Sequence, residues 1–312
     1  MTQKVLSFDL GGTKLAAGVV SNQGKVLCET RVPAEFSRGK EAVIRQIVGI
    51  GKTFLKRFED INTVGVASAG PLDPIKGVLL DPTNFVSKKG RWGRVNFTDL
   101  LEKKLNRRIL LENDAAAAIL AEHWVGAARG YDNAMILTLG TGLGTGVICN
   151  GKLVRVGSYL HTEAGHMIIG HNDRSALCGC GNLGCAEAYL SGKLFAKRTS
   201  ALLGSEKTAD EITTLAKRKN PIALKAFDEY ADWMAVALCN FYRIFNPEIF
   251  VFTGGFAAAS PLFLPQTHRK LTQLLNSSPA TKTRVKAPRL CVSALNNDAG
   301  LIGAAYHAVH SR

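Results

Sequence analysis

Three groups of residues in this chain have the types and spacing that chemistry needs. The first is a pair of glycine-rich turns, Asp9-Leu10-Gly11-Gly12-Thr13-Lys14 and Leu139-Gly140-Thr141-Gly142-Leu143-Gly144-Thr145-Gly146. Glycines let the backbone approach an anion, amides and threonine hydroxyls donate to phosphate oxygens, and Lys14 adds charge. Asp9 ends a strand-like run, where a carboxylate can hold hydrated Mg2+. The competing reading is two ordinary hairpins. Neither turn has the Gly-Lys-Ser/Thr of a P-loop. Gly140-x-Gly142-x-x-Thr145 lacks the last glycine of a dinucleotide fingerprint and is followed by a strand, not a helix.

The second group is His166 with Cys178, Cys180 and Cys185. Three thiolates and one imidazole complete a tetrahedral Zn2+ site with no open position, which makes the metal structural, fixing the loop between residues 161 and 187. His161 and His171 are rival fourth ligands, and free thiols in a glycine-rich loop are the alternative. The third group is Glu112-Asn113-Asp114, between a strand and an alanine-rich helix. Asn113 or Asp114 can serve as the helix N-cap. The functional reading is a carboxylate base, ionised more readily at a helix N-terminus.

The elements that must carry these groups can be read from periodicity and turn residues. Val5–Asp9, Leu15–Val20 and Lys25–Thr30 read as strands joined by tight turns. Glu41–Phe58 has apolar residues at helical spacing. Val64–Ala67 and Arg108–Leu111 read as short strands, Leu100–Leu105 and Asp114–Trp124 as helices, and residues 71–98 as irregular. The opening pattern then returns: strand Met135–Leu139, the glycine turn, strand Thr145–Cys149, the Asn150-Gly151 hairpin signal, and Lys152–Val156. This weak duplication predicts two similar α/β lobes. Glu229–Phe245 and Asp298–His310 read as helices, and Ile249–Phe252 and Arg289–Val292 as strands.

Composition narrows the class. The 312 residues fit two domains, with 46% hydrophobic and 21% charged residues in the ordinary globular range. No apolar run approaches the roughly 20 residues of a membrane span, and no charged segment is followed by a long apolar one as in a signal peptide, so the expected location is the cytoplasm. The 39 Lys+Arg against 25 Asp+Glu give +14, which favours anionic partners. The basic residues are scattered and lack interleaved aromatics, so neither nucleic acid nor membrane is expected as a partner. Seven cysteines, an odd number in a chain without an export signal, argue against a disulfide framework. Cys28, Cys149, Cys239 and Cys291 read as buried structural thiols.

Taken in order, Asp9-Leu-Gly-Gly-Thr-Lys14, Glu112-Asn-Asp-Ala115, Leu139-Gly-Thr-Gly142, Glu163-Ala-Gly-His166, Cys178-Gly-Cys-Gly-Asn-Leu-Gly-Cys-Ala-Glu187 and Thr253-Gly-Gly255 resemble the ROK family of sugar kinases and repressors across nearly the whole chain. The resemblance implies a two-lobed, actin-like (hexokinase-like, ribonuclease H-like) α/β ATPase fold with a structural zinc loop. Its lobes would be residues 1–112 plus 298–312 and residues 113–297, closing on sugar and ATP, with the last helix packed on the N-terminal lobe. It implies Asp114 as base, and Asn84, Asn113, Glu163, His166 and Glu187 as sugar contacts, with His166 also on zinc. Asp9, Gly11, Gly12, Thr13 and Lys14, with Gly140, Thr141 and Gly142, would serve Mg-ATP phosphates, and Gly254 and Gly255 its adenosine side. The expected cofactors are ATP, Mg2+ and structural Zn2+, and the expected assembly is a homodimer or homotetramer.

The chain departs from the family pattern in three places. Ser68-Ala69-Gly70-Pro71 lacks the usual Pro-Gly pair, Thr145 replaces a frequent glycine, and Ala116 stands where asparagine is common. The implied activity is ATP-dependent phosphorylation of a hexose, glucose first and N-acetylglucosamine, N-acetylmannosamine or fructose as alternatives. A sugar-responsive repressor is disfavoured because the chain begins at the first strand, without room for a helix-turn-helix domain. A sugar-binding protein with a dead site is disfavoured by the presence of Asp9, Asp114 and both turns. Inorganic polyphosphate is a further possible donor for so basic a chain.

Overall fold

The two glycine turns sit at the same place in two copies of one sheet topology. The computed structural model describes residues 3–82, 85–88, 90–157, 161–171, 173–277 and 285–311. They form two compact units: residues 1–130, 153–162 and 295–312, and residues 131–152 and 163–294.

In the first unit β1 (Lys4–Leu10), β2 (Lys14–Ser21) and β3 (Val26–Pro33) are joined as antiparallel hairpins. Helix α1 (Lys40–Arg57) follows, then β4 (Thr63–Ser68), which pairs parallel with β1. Residues 72–96, expected to be irregular, instead form five short strands: β5 (Leu72–Asp73), β6 (Val78–Leu80), β7 (Val86–Ser87), β8 (Gly90–Arg91) and β9 (Arg94–Asn96). Buried Phe85 stacks on Phe36 and buried Trp92 packs tilted against both rings, which anchors this segment without long strands. Helix α2 (Phe97–Leu105), β10 (Arg108–Asn113) and helix α3 (Asp114–Val125) complete the run, and the sheet order is β10-β4-β1-β2-β3.

The C-terminal helix Ala299–His310 packs on α3, β4 and β1, as expected. Ala67, Ala117 and Ala304 meet there. Small side chains let both helices lie close to the sheet, which explains their alanine content. The expected lobe boundary lay before Asn113; residues 113–130 and 153–162 lie with the first unit, because α3 packs on the C-terminal helix.

The second unit repeats the plan. Strands β11 (Ala134–Leu139), β12 (Leu143–Cys149) and β13 (Lys152–Leu153) are sheet neighbours, and β14 (Ile249–Thr253) and β15 (Arg289–Val292) extend the sheet in parallel. Its order, β13-β12-β11-β14-β15, matches the first sheet strand for strand. β12 begins two residues earlier than expected and β13 stops at Leu153. Helices α4 (Ala186–Leu190), α5 (Gly192–Leu203), α6 (Ala209–Lys217), α7 (Pro221–Phe245) and α8 (Leu264–Leu275) cover it. A capping box at Thr208 and Glu211 starts α6, and α7, capped by Asn220, begins eight residues before the expected start. Of the four isolated cysteines only Cys239 is buried; Cys28, Cys149 and Cys291 are half-buried. Among the described residues no helix is long and apolar enough to cross a membrane.

Candidate active site

Strand register assembles the first half of the chemistry. In the parallel core of the first unit Leu10 and Asn113 both pair with Ser68, and Asp9 and Glu112 both pair with Ala67. The Gly11–Lys14 turn, the Ser68–Pro71 stretch and Asn113-Asp114 therefore leave the sheet side by side at the carboxyl ends of the strands, where ligands gather in open α/β sheets. Gly11 N donates to Lys14 O at 3.1 Å, and Gly12, Thr13 and Lys14 are exposed at the tip.

Asn113 resolves the question of the cap. Its Oδ1 accepts from the backbone N of Ala115 at 2.9 Å and of Ala116 at 3.1 Å. Asp114 is thereby placed in the first turn of α3, partly exposed, where the helix dipole favours its carboxylate. The Asn113 amide nitrogen lies beside Gly70, as does the His161 ring.

Asp9 keeps a partly exposed edge but is otherwise ringed by protein. Desolvation first, then the Asp114 carboxylate, pushes its carboxyl up to about 7, with Arg31 opposing. Two acids held this close fit a divalent cation, which removes both penalties. Arg31 is itself held by Glu29 and Asp298.

The second unit carries the other groups. Thr138 pairs with Thr253, so the Gly140–Gly142 and Gly254-Gly255 turns leave the sheet side by side. A Cβ on Gly254 would meet Leu139 O at 2.4 Å, so the two turns touch at backbone distance. Gly140 N donates to Gly142 O at 3.1 Å, and Thr141 is exposed at the tip.

The ligand atoms of His166, Cys178, Cys180 and Cys185 lie within 4.8 Å of one another. The His166 Nδ1 is 3.5 Å from the Cys178 Sγ, and Cys180 and Cys185 sulfurs are 3.7 Å apart. This spacing fits a tetrahedral Zn2+ with N and S donors, and His166 completes the set with the three cysteines. Burial raises the Cys178 and Cys185 thiols above their usual range, a cost that a bound cation offsets by stabilising thiolates.

Glu163 is exposed, with its carboxylate 3.9 Å from His166 Nε2. Glu187 Oε1 lies 3.2 Å from Cys178 Sγ, and its Oε2 accepts from Leu143 N at 2.9 Å. It therefore ties the cysteine cluster to the Gly140–Gly142 turn. Thr145 stands where a glycine is frequent, and the fold gives its side chain a structural use. The Thr145 hydroxyl accepts from Ala164 N at 3.1 Å and holds the Glu163–His166 turn. Asn84, expected as a sugar contact, lies outside the described residues.

Sequence reasoning left Glu112 without a role of its own. It is wholly buried and bonded to Arg155. A carboxylate ending the apolar run Ile109–Leu111 was the only local signal.

The chain is similar to known proteins along nearly its whole length. The ROK family profile matches residues 5–310. A glucokinase of Thermotoga maritima is 34% identical, covering 97% of this chain and 96% of its own. An N-acetyl-D-glucosamine kinase of Citrobacter koseri is 32% identical, covering 96% and 97%. The crystal structure of a ROK family glucokinase from Streptomyces griseus, in complex with glucose and AMPPNP, superposes with a TM-score of 0.81 at 29% identity, over 99% of this chain and 100% of that one.

Proposed function

The chain belongs to the ROK family, and from that premise we propose that it transfers the γ-phosphate of Mg-ATP to a hydroxyl of glucose, giving glucose 6-phosphate, with Asp114 as the base. It is a hexokinase-type sugar phosphotransferase with the actin-like fold of its relatives. The observation that carries the residue assignment is the strand-end cluster. Asn113 takes the capping duty and Asp114 stands beside Asp9 in the helix's first turn.

In this reading Asp114 accepts the hydroxyl proton as the sugar oxygen bonds to the γ-phosphorus and the bond to ADP breaks. Asp9 would hold the hydrated Mg2+, which neutralises phosphate charge when bound. Gly11, Gly12, Thr13 and Lys14, with Gly140, Thr141 and Gly142, offer amides, hydroxyls and one cation to phosphate oxygens. Gly254 and Gly255, beside the second turn, serve the adenosine side. Asn113, Glu163, His166 and Glu187 offer acceptors and donors to a ring of hydroxyls, which is costly to bury unpaired.

His166, Cys178, Cys180 and Cys185 would hold one Zn2+, which fixes Glu187 and the 163–187 segment. We further place the enzyme in the cytoplasm as a homodimer or homotetramer. The N-acetylglucosamine kinases among its relatives make N-acetylglucosamine the second acceptor to test.

The experiment is sugar-dependent ADP release from Mg-ATP across hexoses and N-acetylhexosamines, with polyphosphate as a parallel donor. Glucose should turn over fastest. Asp114→Asn should keep sugar binding and lose about 10²–10⁴-fold in kcat; wild-type turnover in that variant removes the base assignment.

A further inference from the structure

Glu112 is a fully buried carboxylate at the end of β10, one residue before the capping Asn113. A buried carboxylate needs a partner with a full charge and well-aligned donors. Arg155 supplies both. Its guanidinium donates through Nη2 to Glu112 Oε2, and through Nη1 to Oε1 at 3.3 Å. The forked geometry of arginine suits this two-point grip.

His307, on the C-terminal helix, sits with Nδ1 3.8 Å from Glu112 Oε2. Burial pushes its imidazole below the ordinary range, with Arg155 and Arg108 adding to that and Glu112 opposing. At neutral pH the ring is uncharged, and Arg155 is the residue that balances Glu112.

Two further contacts link this pair to the proposed chemistry. Glu112 Oε1 also accepts from Asn113 N at 2.9 Å, so the carboxylate's orientation sets the peptide from which Asn113 caps α3. Arg155 lies on the 153–162 segment, which folds with the first unit although its neighbours on both sides belong to the second. Near the other end of that segment the His161 ring packs by Gly70, where the Asn113 amide also reaches. The segment thus grips Glu112 through Arg155 and places His161 by Gly70, next to which the Asn113 amide also lies.

We infer that Arg155 is a positioning residue for phosphoryl transfer: its grip on Glu112 fixes the peptide that starts α3 and so aims Asp114. The inference rests on the reading of Asp114 as base. A displacement of about 1 Å at a reacting group can cost about 10²-fold in rate, so a grip two residues away is enough to matter.

The test compares Arg155→Met, Arg155→Lys, Arg155→Ala and the double variant Glu112→Leu/Arg155→Met with wild type, reading kcat, both KM values and the unfolding midpoint. Arg155→Met should lower kcat by about 10²-fold while KM for sugar and ATP changes little. Arg155→Lys, which retains charge without the fork, should fall between and serves if Arg155→Met fails to fold. Added methylguanidinium should restore Arg155→Ala at least severalfold and leave wild type unchanged. The double variant, with no unpaired buried charge, should recover its unfolding midpoint but not its kcat. If kcat recovers with the midpoint, or methylguanidinium restores nothing, the positioning role is overturned. Asp114→Asn in the same assay separates the two readings. Inactive Asp114→Asn beside a fully active Arg155→Met overturns this inference alone, and active Asp114→Asn overturns the base on which it rests.

Discussion

Asp9→Asn should stabilise the resting protein at alkaline pH while abolishing its use of Mg2+. The Asp9 carboxyl is pushed from an ordinary 3.8 to about 7, by desolvation first and the Asp114 charge second. A group with a raised pKa in the fold stabilises the fold below its unfolded value and loses that contribution as pH rises through the folded one. At pH 8 Asp9 is ionised in both states and its contribution is gone. At pH 5 it is protonated in the fold and mostly ionised in the unfolded chain. The two pH units between 5 and 7 give a swing of about 3 kcal/mol, and solvent at the exposed edge reduces it to about 1–3 kcal/mol. Asparagine does not titrate, so the difference between variant and wild type isolates Asp9, because every other titrating group is common to both. Urea unfolding of both proteins without Mg2+, at pH 5 and pH 8, reads it directly. The variant should gain on wild type by that amount between the two pH values. Mg-ATP should then raise wild type at pH 8 by more than it raises the variant, which keeps the glycine turns but lacks the carboxylate that would hold Mg2+. Parallel stability curves, or a gain at pH 5 instead of pH 8, would refute the reasoning.

Two other perturbations probe neighbouring contacts. A Cβ on Gly300 would lie 2.3 Å from Asp9 Oδ2, so Gly300→Ala should displace the carboxylate, lower kcat by about 10²-fold and raise the Mg2+ concentration needed; an unchanged Mg2+ titration counts against it. The protein as purified should carry about one Zn per chain. Cys178→Ser or Cys185→Ser should lose it and open the 163–187 segment to proteolysis, whereas a metal-free protein that resists protease as wild type does would refute a structural zinc.

The groups that could be read from sequence were those whose partners lie within a few residues. The two glycine turns, the cysteine cluster and the Asn113-Asp114 junction are local patterns, and the structure places the turns at strand ends, the junction at a helix start and the cysteines in the loop that leads into α4. What was missed depends on distant partners or short pairings. The strands between Leu72 and Asn96 are two or three residues long and have too few alternations to register as period two. Their stability comes from aromatic packing on Phe36 instead. The link from Glu112 spans 43 residues to Arg155 and 195 to His307, both toward the C-terminus. Only the return of the last helix and of the 153–162 segment to the first unit brings them together. Glu187 was expected to face a sugar, and only the fold reveals that Leu143 N and Cys178 hold its two oxygens.

The duplicated sheet shows how one backbone plan can present two chemistries. In the first copy the hairpin closes on the pair Leu10 and Leu15, with Asp9 opposite Ala16 one step back. In the second it closes on Leu139 and Leu143, with Thr138 opposite Gly144. Asp9 and Thr138 are thus equivalent positions, a carboxylate in one copy and a hydroxyl in the other. The first turn spans Gly11 to Lys14 and carries a lysine; the second spans only Gly140 to Gly142 and carries none. Of these two equivalent positions only the first is an acid, and the other strand end offers a neutral, glycine-lined turn braced by Glu187. A second carboxylate at position 138 would bring a negative charge to a turn read as a phosphate cradle, where like charges repel. Thr138→Asp should weaken ATP binding without Asp9 or Asp114 being touched, and tighter ATP binding in that variant would contradict the assignment of the second turn to phosphate.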